Sequence, residues 1–532
     1  MTAMPETPVP PTLPAALRRA AELYGDRDLV VTADARLSFA EVEDRSRWLA
    51  ERLVMAGAGK GTRIGLHYPF GTDVLTVWFA AARIGALVMP LSTAYTAHEM
   101  ARALRRGDVD TLLVPPSMLG RDELAMLEEA LPSLASAGPG PLRLTGAPFL
   151  RRILVTGPCD RAWATSVDLL DTAPSLPSGM LEAIEDEVTP ADWLVTIQTS
   201  GSTAEPKAVI HSHGAVMRRT AAALVPGIGT HVIFAGMPFF WVGGVLTLGG
   251  ALHNGTTMLC QERFDPGAAL DLMEREKANA VSGWFTLLHA LRTHPSLPAR
   301  DLHPTLLAQL NPSGRPPAYV TPLGMTESMG PYLTFPHPDF GMEPPAELWG
   351  SNGITNAGYE TKLVDTETGD DIVGDGEGEM CIRGYAVTVG MYKRERDQVF
   401  DADGWYHTGD RVSRRSGLYF FTGRTTEMIK TRGSNVAPPE VEAALESLPD
   451  VKHAFVVGIP HPEMEQQVAA VVVPLEGTTL DVDEVRAGAA KLLSAYKVPR
   501  VVLVLENDRV PWLATGKPDK LAMRPMLQAA AL

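Results

Sequence analysis

The sequence predicts an α/β protein: a large N-terminal region of parallel or mixed sheets flanked by helices, followed by a small α+β domain. Two passages carry the first half of that expectation. Over residues 37–91 and again over 193–259, short apolar runs alternate with amphipathic helical runs, and strands alternating with helices imply parallel sheet. The second half comes from residues 424–532, where the pattern shifts to longer apolar strands separated by two helical stretches. With 532 residues, 45% hydrophobic and 21% charged, the chain has the apolar surface for a large packed core, and wholesale disorder is excluded.

In the first passage residues 38–57 read as a helix, 63–68 as a strand, 73–85 as a helix and 86–91 as a short apolar strand, punctuated by Gly57, Gly61 and Gly85. The second passage reads as a strand at 194–198, a Gly/Ser/Thr loop, a strand at 208–212 and a helix at 215–224. Pro and Ser accumulate over residues 131–177, and residues 294–322 hold seven prolines; both stretches read as surface connections poor in regular structure. The C-terminal part reads as a charged loop at 423–433, a helix at 438–448, strands at 453–460 and 467–476, a helix at 482–494 and a strand at 500–506.

Charge narrows the partners. Lys plus Arg is 47 and Asp plus Glu is 63, a net of −16, which repels polyanions and argues against nucleic-acid binding. Residues 424–532 hold 12 basic and 14 acidic residues, so the surplus sits on the larger part and any phosphate ligand must be held by local contacts. Cys159, Cys260 and Cys381 form neither a CxxC motif nor a disulfide framework, which suits a reducing compartment. No secretory signal opens the chain, and the apolar run at 74–90 is broken by Arg83 and falls short of the ~20 residues that span a bilayer. The expectation is a cytoplasmic protein without a membrane span.

Four segments carry chemistry. Thr199, Ser200, Gly201, Ser202 and Thr203, followed by Ala204, Glu205, Pro206 and Lys207, come directly after an apolar strand. Small residues let backbone N–H groups approach an anion, the hydroxyls donate, and Lys207 adds a cation, which describes a polyphosphate cradle as well as a Ser/Thr-rich turn. No GK[ST] follows the glycine, so this is not a Walker loop. Gly324, Met325, Thr326 and Glu327 set a hydroxyl beside a carboxylate, suited to a phosphate and its Mg²⁺. Residues 405–410 end in Asp410, a natural acceptor for vicinal ribose hydroxyls. Finally, residues 423–433 form a charged loop, and residues 511–517 present Lys517 on a Gly-containing turn.

In this order the segments resemble the adenylate-forming superfamily of acyl-CoA synthetases, nonribosomal-peptide adenylation domains and beetle luciferases, most of all its acyl-CoA or aryl-CoA ligases. Residues 237–244 and 376–392 add to the resemblance. It implies an ATP- and Mg²⁺-dependent ligase that turns a small carboxylic acid into an acyl adenylate and transfers the acyl group to CoA. An amine or a carrier-protein thiol is the alternative acceptor. By the same resemblance, Thr199 to Lys207 hold the β- and γ-phosphates, Thr326 and Glu327 meet the α-phosphate and Mg²⁺, and Asp410 and Arg424 bind the ribose. Lys517 stabilises charge during attack of the carboxylate on phosphorus. Phe240, Trp241, Gly243, Trp284, Phe285 and Met325 wall the acyl pocket. The implied domains are 1–423 and a mobile cap at 424–532 that turns near Thr426, exchanging Lys517 for the loop of Lys430 and Gly433 beside the CoA thiol.

The chain departs from the family pattern at Ala204, where a second glycine is usual, and at a missing Gly-Gly-Ala segment for which Ser313, Gly314 and Arg315 are the nearest candidate. These departures keep a degenerate nucleotide-binding protein in play, against which stand Glu327, Asp410, Arg424 and Lys517. His211 and His213 read as structural residues rather than a metal pair, because no third ligand is in view, and residues 401–404 read as a turn rather than a calcium loop.

Overall fold

The structure, a computed structural model, describes residues 9–168, 176–199, 207–222, 232–283, 285–310, 322–335, 350–366, 368–424, 429–436, 438–512 and 518–531. Its centre is an eight-stranded sheet in the spatial order Gly390–Met391, Lys207–Ser212, Trp193–Thr199, Leu87–Pro90, Arg63–Leu66, Thr111–Val114, Arg152–Val155 and Thr165–Ser166. Every pair from Trp193–Thr199 onward is parallel, and Lys207–Ser212 runs antiparallel to both neighbours. A five-stranded sheet places Ala280–Ser282, Val232–Ala235, Thr257–Leu259 and Asp28–Val31 in parallel, with Arg36–Ser38 as an antiparallel edge.

The two sheets share one core. The Thr72–Arg83 helix is buried on nearly all sides, including Trp78 and Phe79, and its side chains join Val30 and Met258 of one sheet to Ile64 and Val195 of the other. The amphipathic Phe39–Met55 helix covers this core; it starts at a capping box in which Ser38 Oγ accepts from the Glu41 N–H and Glu41 accepts from the Ser38 N–H. Residues 131–177 depart from the sequence expectation. Arg152–Val155 is a full member of the large sheet, pairing in parallel with Thr111–Val114, because its three apolar residues find buried neighbours that no local signal announces.

A third sheet, all antiparallel, orders Asp371–Ile372, Glu360–Val364, Gly376–Arg383, Tyr406–Arg415 and Leu418–Arg424. Arg424 is thus the last residue of this sheet, and the next one starts at Ile429. That C-terminal sheet runs Ser434–Val436, Ile429–Thr431, Glu465–Pro474 and Val451–His461, with Val501–Val504 parallel to Glu465–Pro474. Period-two alternation gives it two apolar faces: Val456, Ala470 and Val472 pack under helices Pro438–Glu446 and Val482–Leu492, while Val457, Ala469 and Val471 pack under Lys520–Ala530. Among the described residues no helix is long and apolar enough to cross a membrane.

Candidate active site

The phosphate-loop candidate joins two antiparallel strands in a hairpin, with Thr199 paired to Lys207. Ser200, Gly201, Ser202, Thr203 and Ala204 lie outside the described residues, as do Trp284, residues 313–315, Thr426 and Lys517. Nothing is described of the side chains of Arg424 and Phe285. What the structure fixes is where the loop begins and ends. Thr199 and Lys207 both line a cavity of about 1190 Å³, counting its open mouth, together with Phe240 and Trp241. Those two rings meet edge to face at 5.9 Å. Phe240 also lines a smaller apolar cavity with Phe234, Gly236, Phe264 and Leu287. Gly243 lies against Met237, whose Cε would be 2.5 Å from a Cβ at this position.

Thr326 and Glu327 occupy a single 3₁₀ turn between the antiparallel strands Leu323–Met325 and Gly330–Thr334. Ser328 ties this turn: its hydroxyl accepts from the Met325 N–H at 3.1 Å and lies 2.6 Å from the Gly330 carbonyl. Only glycine fits at position 324, where a Cβ would lie 2.5 Å from Gly330 O and Pro331 Cα. Met325 is half-buried against the cluster around Tyr332. Two long-range bonds lock the turn to the large sheet. His211 Nε2 donates to the Thr326 carbonyl at 2.8 Å, and the Thr388 N–H donates to the Glu327 carbonyl at 2.7 Å while its hydroxyl donates to Ile210 O.

That contact fixes the His211 tautomer, because a carbonyl can only accept: Nε2 carries the proton, and Nδ1 is buried without a partner among the described residues. Burial lowers the His211 pKa to about 4. His213 begins the next helix rather than ending the strand and accepts from the Leu13 N–H at 3.2 Å. The two imidazoles therefore serve different partners, as a structural role requires.

The carboxylates of Glu327 and Asp410 are held reciprocally. Tyr406, on the Tyr406–Arg415 strand that carries Asp410, donates its hydroxyl to Glu327 Oε1 at 3.0 Å. Tyr332, on the hairpin that carries Glu327, donates to Asp410 Oδ2 at 3.2 Å. Both acids are buried, Glu327 at 6% and Asp410 at 1% exposure. Asp410 stands opposite Arg424 in the backbone strand pairing. Sequence reasoning missed Tyr332 and Tyr406 as anchors. Tyr406 lies inside the motif that ends at Asp410, but nothing local says which acid it reaches.

Asp410 is aimed by a bulge. Glu379 pairs with Arg411 and Cys381 with His407, so Thr408, Gly409 and Asp410 face Met380 alone, with Gly409 at φ +71. Glu379 stabilises this bulge with both oxygens, accepting from the Gly409 N–H at 2.9 Å and from His407 Nδ1 at 2.9 Å. Glu379, Cys381 and His407 are the only close trio of metal-ligating types among the described residues. Burial pushes the Cys381 thiol up to about 12, and the bonds from Glu379 to His407 and to the Gly409 N–H tie this trio to the bulge. Residues 401–404 form the expected turn, with Asp401 Oδ1 accepting from the N–H groups of Asp403 and Trp405. Lys430 and Gly433 flank an exposed turn, and Lys430 Nζ lies 5.4 Å from the centre of the Phe421 ring.

Local charge around the cavity runs against the charge of the whole chain. Arg102, Arg106, Lys207, Lys393 and Arg394 line it, while a sixth basic residue, Lys497, is spent on the two acids of the lining, Glu99 and Glu440. A wall with a surplus of four positive charges in a protein of net −16 concentrates attraction for a phosphorylated ligand at one mouth.

Two family descriptions match the chain: "AMP-binding enzyme" over residues 17–392 and "AMP-binding enzyme C-terminal domain" over residues 440–517. A putative acyl-CoA synthetase, YngI of Bacillus subtilis, is 28% identical and is matched over 96% of either chain. A feruloyl-CoA synthase from an Amycolatopsis species is 29% identical over 90% of this chain and 92% of its own. Among solved structures, the amide bond synthetase McbA of Marinactinospora thermotolerans superposes with a TM-score of 0.79 at 26% identity, covering 96% of this chain and 99% of that one. The chain therefore belongs to the AMP-binding enzyme family, the adenylate-forming, AMP-releasing ligases.

Proposed function

We propose that the chain activates a carboxylic acid as its acyl adenylate and then passes the acyl group to the thiol of CoA. The observation that carries this reading is the cavity in which both ends of the phosphate loop, the Phe240–Trp241 wall and the basic rim meet. One chamber offers an apolar wall for an acyl group, anchors for a nucleotide and cations for a phosphorylated thiol.

In the first step a carboxylate oxygen bonds to the α-phosphorus as the bond to pyrophosphate breaks. Thr199, Ser200, Gly201, Ser202, Thr203 and Lys207 hold the β- and γ-phosphates, and Asp410 with Arg424 takes the ribose hydroxyls. Lys517 sits between the two anions, because attack of one anion on another needs a cation at the point of contact. Glu327 fits a hard divalent cation such as Mg²⁺: it is a buried carboxylate that follows Thr326 on the same 3₁₀ turn, with Oε1 fixed by Tyr406. When bound, the ion neutralises charge on the phosphate oxygens. In the second step the C-terminal domain turns about Thr426, and the loop of Lys430 and Gly433 replaces Lys517. The thiol sulfur then attacks the acyl carbon, AMP leaves, and the thiol proton passes to solvent.

An amine acceptor is the second reading, favoured by the similarity to an amide bond synthetase. A panel of carboxylic acids with ATP separates the two, scored by pyrophosphate release and by mass spectrometry with CoA or with amines. Thioester with CoA supports the first reading, amide without thioester supports the second, and no ATP turnover with any acid overturns both. Lys517→Ala is expected to slow pyrophosphate release by roughly 100- to 1000-fold, the usual loss on removing one preorganised charge donor; an unchanged rate overturns its role.

A further inference from the structure

The cavity is walled from two directions: Ser92, Tyr95, Thr199 and Trp241 come from the large region, Glu440 and Tyr496 from the C-terminal domain. Its wall is complete only while the two parts sit together as they do here, and a buried ionic cluster lies at their contact. Glu99, on the first turn of the Ala97–Arg106 helix, caps that helix through Oε2 and the Thr96 N–H at 3.1 Å. The same carboxylate reaches the other domain. Its Oε1 accepts from the Ser494 N–H at 3.0 Å and from Lys497 Nζ at 3.1 Å, and its Oε2 lies 2.5 Å from the Ser494 hydroxyl. Lys497 Nζ donates again to Glu440 Oε1 at 3.1 Å.

The three charged side chains are 5, 4 and 7% exposed for Glu99, Glu440 and Lys497. One ammonium therefore serves two carboxylates in a nearly dry contact, and Glu440 Oε2 is buried without a hydrogen-bond partner among the described residues. Removing that ammonium would leave two unscreened acids face to face. An apolar contact would hold the domains together indiscriminately. An ionic one instead demands a single register while docked, and its groups regain water when the domains separate.

We propose that Glu99, Ser494 and Lys497 are positioning residues for the acyl-transfer step: they fix the C-terminal domain on the Ala97–Arg106 helix so that Glu440 and Tyr496 close the acceptor side of the chamber. They part when Lys517 is brought to the carboxylate. This rests on the two-step reading above and adds the groups that set the second of its two domain positions.

The test uses the full chain with Lys497→Met and with Glu99→Gln, the latter keeping shape and an acceptor oxygen. Acid-dependent pyrophosphate exchange is expected within threefold of the parent, and single-turnover transfer from preformed adenylate to CoA at least tenfold slower. Hydrogen–deuterium exchange reads the contact directly, because the Ser494 amide is protected by Glu99: its protection is expected to fall in both variants. Both half-reactions falling together, or transfer and protection unchanged, overturns the proposal. Where the parent itself makes no thioester, the two-step reading fails. The exchange arm then decides alone: lost Ser494 protection with pyrophosphate exchange retained supports the contact, and retained protection in Lys497→Met overturns it.

Discussion

The hairpin that clamps Glu327 and Asp410 and the contact built on Glu99 and Glu440 each bury two carboxylates, but they satisfy them differently. In the clamp each acid receives a tyrosine hydroxyl, a neutral donor that fixes an oxygen and itself adds no positive charge. At the domain contact both acids share one ammonium, so most of their charge is balanced inside the protein. The difference separates a site from a joint. A buried acid such as Glu327, whose oxygen is held by a neutral donor, keeps its attraction for an incoming cation, whereas an acid positioned by a cation is already partnered.

The largest break of this contrast is Glu327→Gln, which keeps an oxygen for Tyr406 and removes the charge. Pyrophosphate release at saturating ATP is expected to fall about 100-fold, in the range for loss of one preorganised electrostatic contact; a fall under threefold would show that the clamp needs only its shape. Tyr406→Phe sharpens the contrast from the other side by keeping the charge and freeing its position. A hydrogen bond to a charged group contributes about 1.5–3 kcal/mol, so kcat/KM for ATP should drop roughly tenfold, with a higher Mg²⁺ concentration needed for half-maximal rate.

The smallest effect concerns the base of the clamp. Burial lowers the pKa of His211 from 6.5 to about 4, so between those values the unfolded chain holds a proton at His211 that the folded chain does not. Stability therefore rises with pH across the window from 4 to 6.5 and is lost as the pH falls through it, by up to about 1.4 kcal/mol per pH unit. His213 carries a shift of the same direction from the same cause. His211→Gln retains an N–H donor for the Thr326 carbonyl, so the melting temperature should depend less steeply on pH in that window than in the parent; an equal slope would place the titration elsewhere.

Much of this was readable in the residues. Alternating apolar runs announced the parallel sheet, and the residues at positions 326, 327 and 410 stood out as candidates before any geometry was known. The apolar runs at 453–460 and 467–476 read as strands, and the structure pairs them. What the sequence concealed is long-range. The Arg152–Val155 strand hides in a Pro- and Ser-rich stretch because its partner lies in Thr111–Val114. Tyr332 and Tyr406 look like ordinary core aromatics until each is seen to cross to the other's acid. Glu99 and Lys497 are 398 residues apart, and each alone reads as a solvated charge. His211 and His213, two residues apart, part company because the strand ends at Ser212.

The charge balance at the domain contact has a chemical consequence. An acyl adenylate is an electrophile that acylates free amines, and Lys497 lines the chamber proposed to hold one. Burial works to lower the pKa of this lysine, yet Tyr496, Glu440 and Glu99 raise it well above the ordinary value. An ammonium kept protonated has no lone pair with which to attack. The contact that closes the chamber thereby also protects the chain from modification by its own reactive intermediate.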